Sequence, residues 1–320
     1  MALPMLKESY SGKVNEVQIG AKADEGGTRT SVITVGGEQA LPYLDFDGTT
    51  GRGTVIAMDV MDIEPETWPE ELRKPYKGVL GDPAAWARKC VDEFGADLIC
   101  VKLDGIDPDG AHKSAADAVA AVDAVRKAVG VPLIVWGCGN DDKDNEVMPR
   151  ISQLLKGERA LLGVVQQDNY RTLTAVCMAD GHSLIALAPL DINIAKQVNV
   201  LVSDMDFPLG RIVMFQTTGA LGYGLEYAYS IQERERLAAL GGDKMMAMPV
   251  ICDVGHEAWR AKEAKLPDAE APQWGPQAER GPLWEAITGV CLLQSGADIL
   301  RMNHPKAVAV VKKAIAALQK

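Results

Sequence analysis

No two of the six cysteines in this sequence lie closer than ten residues apart, so it holds no C-x-x-C element and no iron–sulfur or zinc spacing. Cys90 and Cys177 fall on apolar helix faces and Cys100 inside an apolar run, the settings of small buried hydrophobes in a reducing compartment. Histidine is scarce: His112, His182, His256 and His304 are the full set, and none pair at a metal-ligand spacing. Aromatic residues make up only 5%, which leaves aliphatic side chains to fill the core. There is no basic excess either. Lys and Arg number 33 against 44 Asp and Glu, a net charge of −11 with the signs interspersed, and without a basic stripe the chain is not expected to bind nucleic acid. No apolar run reaches membrane-span length and the first residues lack a signal-type apolar stretch, so the expectation is a cytoplasmic protein with no membrane partner.

What the sequence does have is ordinary globular composition, 47% hydrophobic and 24% charged, over 320 residues, a length that one parallel α/β barrel can occupy as a single domain. From Thr54 onward a short apolar run, a polar loop and an amphipathic helix recur. The runs are Thr54–Val60, Asp97–Leu103, Pro132–Gly137, Ala160–Val165, Ser183–Ala188, Arg211–Phe215, Met248–Cys252 and Ala297–Met302. Continuous rather than alternating apolar runs suit a sheet buried on both faces, and their alternation with helices implies parallel pairing through crossovers. Eight units favour a closed (β/α)8 TIM barrel, an open doubly wound sheet being the alternative.

Helix signals agree. Asp82-Pro83 reads as an N-cap and first helical position, Ser114 and Asp191 read as N-caps, and Gly130 reads as a C′ glycine. Two regions fall outside the repeat. Residues 13–35 read as an N-terminal β-hairpin, Val14–Ile19 and Thr30–Val35 around Gly26-Gly27, plugging the barrel bottom. Residues 254–282 form a long seventh βα connection carrying Trp259 and Trp274, expected to be a docking or lid segment.

Barrel sites are built from the carboxyl ends of the strands. Here those ends carry Asp59, Asp62, Lys102, Asp104, Cys138, Asn140, Gln166, Gln167, Asp168, Asn169, Asp191, Gln216, Thr217, Thr218, Asp253, Asn303 and His304. Acids and amides dominate; strong nucleophiles and bases are few. Lys102 is the sharpest catalytic candidate, a lysine able to form a Schiff base if burial lowered its pKa, although strand alternation favours an internal ion pair with Asp59. His182 directly precedes a strand, a bottom-face position, and His304 before Pro305 suits an N-cap. The glycine-rich stretch Gly219–Gly224 opens a helix without a phosphate-loop spacing and reads as a tight turn at the mouth.

Several stretches together carry a resemblance. Gly81-Asp82-Pro83-Ala84-Ala85-Trp86-Ala87-Arg88-Lys89-Cys90, then Phe94 to Leu98, Gln167-Asp168-Asn169-Tyr170, Pro189-Leu190-Asp191-Ile192-Asn193, Lys196-Gln197-Val198-Asn199, Thr217 to Tyr227, Glu257 to Glu263, Trp284-Glu285 and Gly296 to Leu300 are similar to the small, delta-type subunit of the corrinoid iron–sulfur protein of the acetyl-CoA decarbonylase/synthase system. The sixth strand departs from it, ending Phe215-Gln216 where the resemblance leads one to expect Asp-Pro. The resemblance implies a barrel related to pterin-binding methyltransferases that acts as a non-catalytic subunit. Its partner would be a large subunit carrying an iron–sulfur cluster and a cobamide, with no cluster in this chain and the cobamide at the interface of the heterodimer. The further partners implied are a methyltetrahydrofolate methyltransferase and acetyl-CoA synthase/CO dehydrogenase. On this reading the mouth residues Asn140, Gln166, Asp168, Asp191, Gln216, Thr217, Asp253 and Asn303 face the cofactor, with no catalytic residue and no metal ligand. The competing reading is a free-standing pterin-dependent methyltransferase in which Asp104, Asn140 and Asp168 hydrogen-bond the pterin; an aldolase using Lys102 is more distant.

Overall fold

A computed structural model describes residues 6–319. Ten strands are present in it: β1 Val17–Ile19, β2 Ile33–Val35, β3 Val55–Met61, β4 Leu98–Lys102, β5 Leu133–Trp136, β6 Leu161–Val165, β7 Ser183–Leu187, β8 Ile212–Phe215, β9 Ile251–Asp253 and β10 Ile299–Met302. The first two pair antiparallel, Val17 opposite Val35. The other eight form one parallel sheet in the order β8-β7-β6-β5-β4-β3-β10-β9. A parallel bridge between Met214 and Val250 joins its two edges, which closes the barrel. All eight apolar runs are therefore barrel strands, and the open sheet is excluded.

The helices that follow are α1 Glu70–Arg73, α2 Pro83–Asp92, α3 Ala115–Ala128, α4 Asp141–Leu154, α5 Arg171–Asp180, α6 Ile192–Ser203, α7 Leu225–Leu240, α8 Val254–Arg260, α9 Lys262–Lys265, α10 Gln277–Ser295 and α11 Pro305–Leu318. Their starts follow capping chemistry. Asp82 Oδ1 accepts from the Ala84 and Ala85 amides, and Ser114 forms a reciprocal capping box with Asp117. Gly130 has a different reason from the expected C′ role. α3 ends on an extended Val129, and Gly130 is a glycine because the hairpin crowds it: a Cβ there would sit 2.2 Å from Thr30 Oγ1.

Strand alternation sorts the core into two shells. Ile56, Met58 and Val60 of β3 pack outward against the helices, in a cluster with Trp86, Val122, Val198 and Val311. Ala57 faces inward with Leu98, Cys100, Ile134, Leu161, Ile185, Val213, Ile251 and Ile299. Val17, Ile19 and Val35 join that inner cluster, so the hairpin does plug the barrel floor. Its anchor is Arg29, buried, with Nε 2.8 Å from Glu158 and further N–H bonds to the Val129 and Arg126 carbonyls below β5. His182 also lies at this end; its Nδ1 accepts from the Ala160 amide and its Nε2 lies 2.9 Å from the Ser152 carbonyl.

The long seventh connection is mostly folded. After β9 it forms α8, α9 and a single 3-10 turn at Pro272–Trp274 before α10 begins at Gln277. Buried Arg280 collects it, donating to the Glu263, Leu266 and Gly275 carbonyls. No helix among the described residues is long and apolar enough to cross a membrane.

Candidate functional site at the barrel mouth

Inside the barrel, just under the mouth, lies a polar layer. Arg301 of β10 is 1% exposed and donates Nε and Nη2 to the two oxygens of Asp59 on β3, at 3.0 and 2.8 Å. Its Nη1 lies 3.2 Å from Asp253 Oδ2 on β9. The guanidinium carbon sits 4.0 Å from the ring centroid of Trp136, which Phe215 meets edge-on at 4.9 Å. Burial pushes the Asp59 carboxyl up and Arg301 pulls it back.

The expected Asp59–Lys102 pair is not formed. Asp59 is level with Cys100 and Lys102 with Met61, one pleat higher. From there the Lys102 amine reaches Asp104 Oδ1 at 3.2 Å and donates to the Gly137 carbonyl, while Arg301 takes Asp59.

Above this layer an open groove of about 660 Å³ spans the β9, β10, β3 and β4 side of the mouth. Met61 ends β3, Ile63 and Trp68 come from the loop after it, Asp104 and Ala111 from that after β4, His256, Trp259 and Arg260 from α8, and Asn303 from the end of β10. The loops are held by buried acids. Asp62 Oδ1 accepts from the Gly105 amide at 2.7 Å, and a Cβ on Gly105 would strike the same carboxylate. Asp144 Oδ1 and Oδ2 accept from the Cys138 and Gly139 amides at 2.9 and 3.0 Å and so shape the end of β5.

Of the eight residues singled out as facing a cofactor, Asn303 lines this groove. Asn303 Oδ1, Asp253 Oδ1 and both amide atoms of Gln216 are buried without a hydrogen-bond partner, at the ends of three successive barrel strands. Asn140 and Asp191 cap α4 and α6, accepting from Lys143 N and from Asn193 and Ile194 N. Gln166 Nε2 donates to Asp141, Asp168 is exposed in a turn, and Thr217 has φ 50° with its hydroxyl on the Gln216 carbonyl. The glycine-rich turn docks against α10, where the Trp284 indole donates to the Leu221 carbonyl.

Sequence reasoning passed over Arg301, Trp136, Met61, Ile63, Trp68 and Glu285. Arg301 carried a signal, a lone cation in the apolar run Ile299–Met302 at the inward parity of Asn303. Reactive groups are few. The Cys138 thiol is pushed up to about 11 by burial, and His304, lowered to about 4 chiefly by burial, caps α11 by accepting from the Lys306 amide. Among the described residues no group of three or more His, Cys, Asp or Glu is placed to hold a metal ion.

The family model described as CO dehydrogenase/acetyl-CoA synthase delta subunit matches residues 16–269. The chain belongs to this family. This delta-family chain is 40% identical over 312 residues to the acetyl-CoA decarbonylase/synthase complex subunit delta of Archaeoglobus fulgidus, an alignment spanning 96% of the chain and 69% of that relative. It is 37% identical over 305 residues to the corresponding subunit of Methanopyrus kandleri, spanning 95% of this chain and 75% of the relative. Among solved structures it is similar to a dihydropteroate synthase from Coxiella burnetii in complex with pteroic acid, with TM-score 0.59, 12% identity and coverage of 95% and 100% of the two chains. The dihydropteroate synthase of Thermus thermophilus gives TM-score 0.52 at 16% identity, covering 84% of this chain and 93% of that one. At these identities the likeness shows the delta-family barrel fold and nothing of its ligand.

Proposed function

We propose that this delta-family chain is a non-catalytic subunit of an acetyl-CoA decarbonylase/synthase assembly, and that its barrel mouth covers a cobamide held mainly by a larger corrinoid iron–sulfur partner. The carrying observation is a large open groove with mostly apolar walls, whose polar lining is Glu64, Glu66, Thr67, Asp104, His256, Arg260, Lys265 and Asn303, with no cysteine or serine among its lining residues. A corrin is an amphipathic ring with amide-bearing edges, and the groove fits that chemistry. Met61, Ile63, Trp68 and Trp259 offer the ring apolar surface, while Asp104, Asn303, Arg260 and Lys265 offer its edges hydrogen bonds.

When bound, the cobamide supplies a cobalt centre that takes up and gives up a methyl group, here one passing from methyltetrahydrofolate through a methyltransferase towards acetyl-CoA synthase/CO dehydrogenase. The chain's own residues serve by exclusion. The apolar walls keep water away. Lys102 is occupied by Asp104 and the Gly137 carbonyl, the Cys138 thiol stays protonated at neutral pH, and His304 Nδ1 accepts a helix-cap bond, which leaves His256, beside Glu257, as the imidazole at the groove.

Expressed alone, the chain should be colourless; co-expressed with the large subunit it should purify as a one-to-one heterodimer with a corrinoid visible spectrum. A cobamide-free monomer that ignores the large subunit, or tight binding of methyltetrahydrofolate by the isolated chain, overturns the proposal; the second result favours a free-standing methyltransferase.

A further inference from the structure

We infer that Glu285 is a positioning residue for the mouth: its side chain clamps the seventh connection, through Trp259, onto the end of β10, and so fixes the wall of the groove formed by Trp259 and Asn303. Glu285 lies in α10 and is completely buried. Its Oε2 accepts from the Trp259 indole N–H at 2.6 Å, and its Oε1 accepts from the Asn303 amide at 2.5 Å. The His304 amide lies 3.2 and 3.0 Å from the two oxygens. These amides stand at the start of α11, where no helical carbonyl exists to receive them. One carboxyl group thus joins three elements, α8, α10 and the β10–α11 corner.

The surroundings are cut to fit this clamp. A Cβ on Gly281 would lie 2.5 Å from the Trp259 ring, and one on Gly255 would lie 2.6 Å from Asn303 Cγ. The His304 ring stacks on Trp259 at 5.8 Å, and the Tyr76 hydroxyl donates to the Asn303 carbonyl. Every hydrogen-bond partner of Glu285 is a donor, so these bonds favour its ionised form, in opposition to the burial that favours the neutral one.

The clamp is also sensitive to pH. Burial raises the Glu285 carboxyl to about 7 against the opposing bonds from Asn303, Trp259 and His304. The titratable groups facing it are Asp59 from β3, which raises it further, Tyr76, which burial keeps protonated, and His304, which is neutral above about pH 4. Around His304 stand Glu71, Glu279 and Lys306. The closed state therefore holds its proton up to about pH 7, whereas a solvated Glu285 gives it up near the ordinary 4.5. The stability this group lends to closure is complete below pH 4.5 and falls as pH rises to 7. The connection should open more readily at neutral pH than in acid.

The consequence for cofactor access rests on the proposed covering role; the clamp does not, and it is tested on the isolated chain. Amide hydrogen exchange, corrected for intrinsic rates, is measured on residues 255–265 at pH 5.5 and pH 8. Protection should fall about tenfold or more between the two in the native protein and change less than about twofold in Glu285→Gln. Trp259→Phe, which keeps an aromatic side chain but deletes the donor, should lower protection of 255–265 at both pH values and leave the floor segment 17–35 unchanged. If Glu285→Gln keeps the native pH trend, or Trp259→Phe leaves 255–265 as protected as before, the inference is overturned; the Trp259→Phe arm decides alone if Glu285→Gln does not fold.

Discussion

Arg301→Met should destabilise the protein by about 3–5 kcal/mol, read as a shift in the urea midpoint at unchanged slope. The guanidinium reaches both Asp59 and Asp253 inside the barrel, and its carbon lies 4.0 Å from the Trp136 ring centroid. Methionine fills much of the space and leaves two carboxylates without the guanidinium that pairs them. One of them must then take a proton or draw in water, and either carries most of the loss. Asp59→Asn in the same background should recover part of it, so the double variant should lose less than the sum of the single ones. A loss below about 1 kcal/mol for Arg301→Met would mean that water already screens the pair, as it does on a surface.

Ala111→Trp should leave stability within about 0.5 kcal/mol, because Ala111 is exposed on the loop after β4. It should nevertheless weaken binding of the corrinoid-loaded large subunit tenfold or more, about 1.4 kcal/mol or greater. The added indole projects from the rim of the groove that the covering role requires to be open. Asp24→Trp, on the hairpin at the opposite end of the barrel, should leave affinity unchanged. Equal effects from the two substitutions, measured by titration calorimetry, would place the partner somewhere other than the mouth.

The barrel was legible because a parallel sheet buried on both faces turns each strand into a continuous apolar run, and all eight runs pair as strands. The hairpin was legible for a similar reason, since Val17, Ile19 and Val35 had to be buried somewhere and the barrel floor was open. The interior polar layer was half legible. Asp59 announced a buried charge, but its partner sits 242 residues away, and a choice between Lys102 and Arg301 depends on a register that the sequence does not state. Asp104, Asn303 and the seventh connection pointed to the groove, whereas Ile63 and Trp68 come from an irregular loop without periodicity to reveal which way it folds. Asn140 and Asp191 show the limit of reading strand ends as sites. A polar residue there also begins a helix, and capping chemistry claims the same side-chain oxygen.

The claim at the centre of this account is that a partner-held cobamide meets the barrel mouth. Hydrogen exchange of the chain, alone and in complex with the corrinoid-loaded large subunit, tests it most directly. Residues 61–69, 104–111 and 255–265 should become protected on complex formation, while 209–211 and 242–247 at the floor should exchange as before. Protection confined to the floor or the outer helices, with the mouth unchanged, would contradict it.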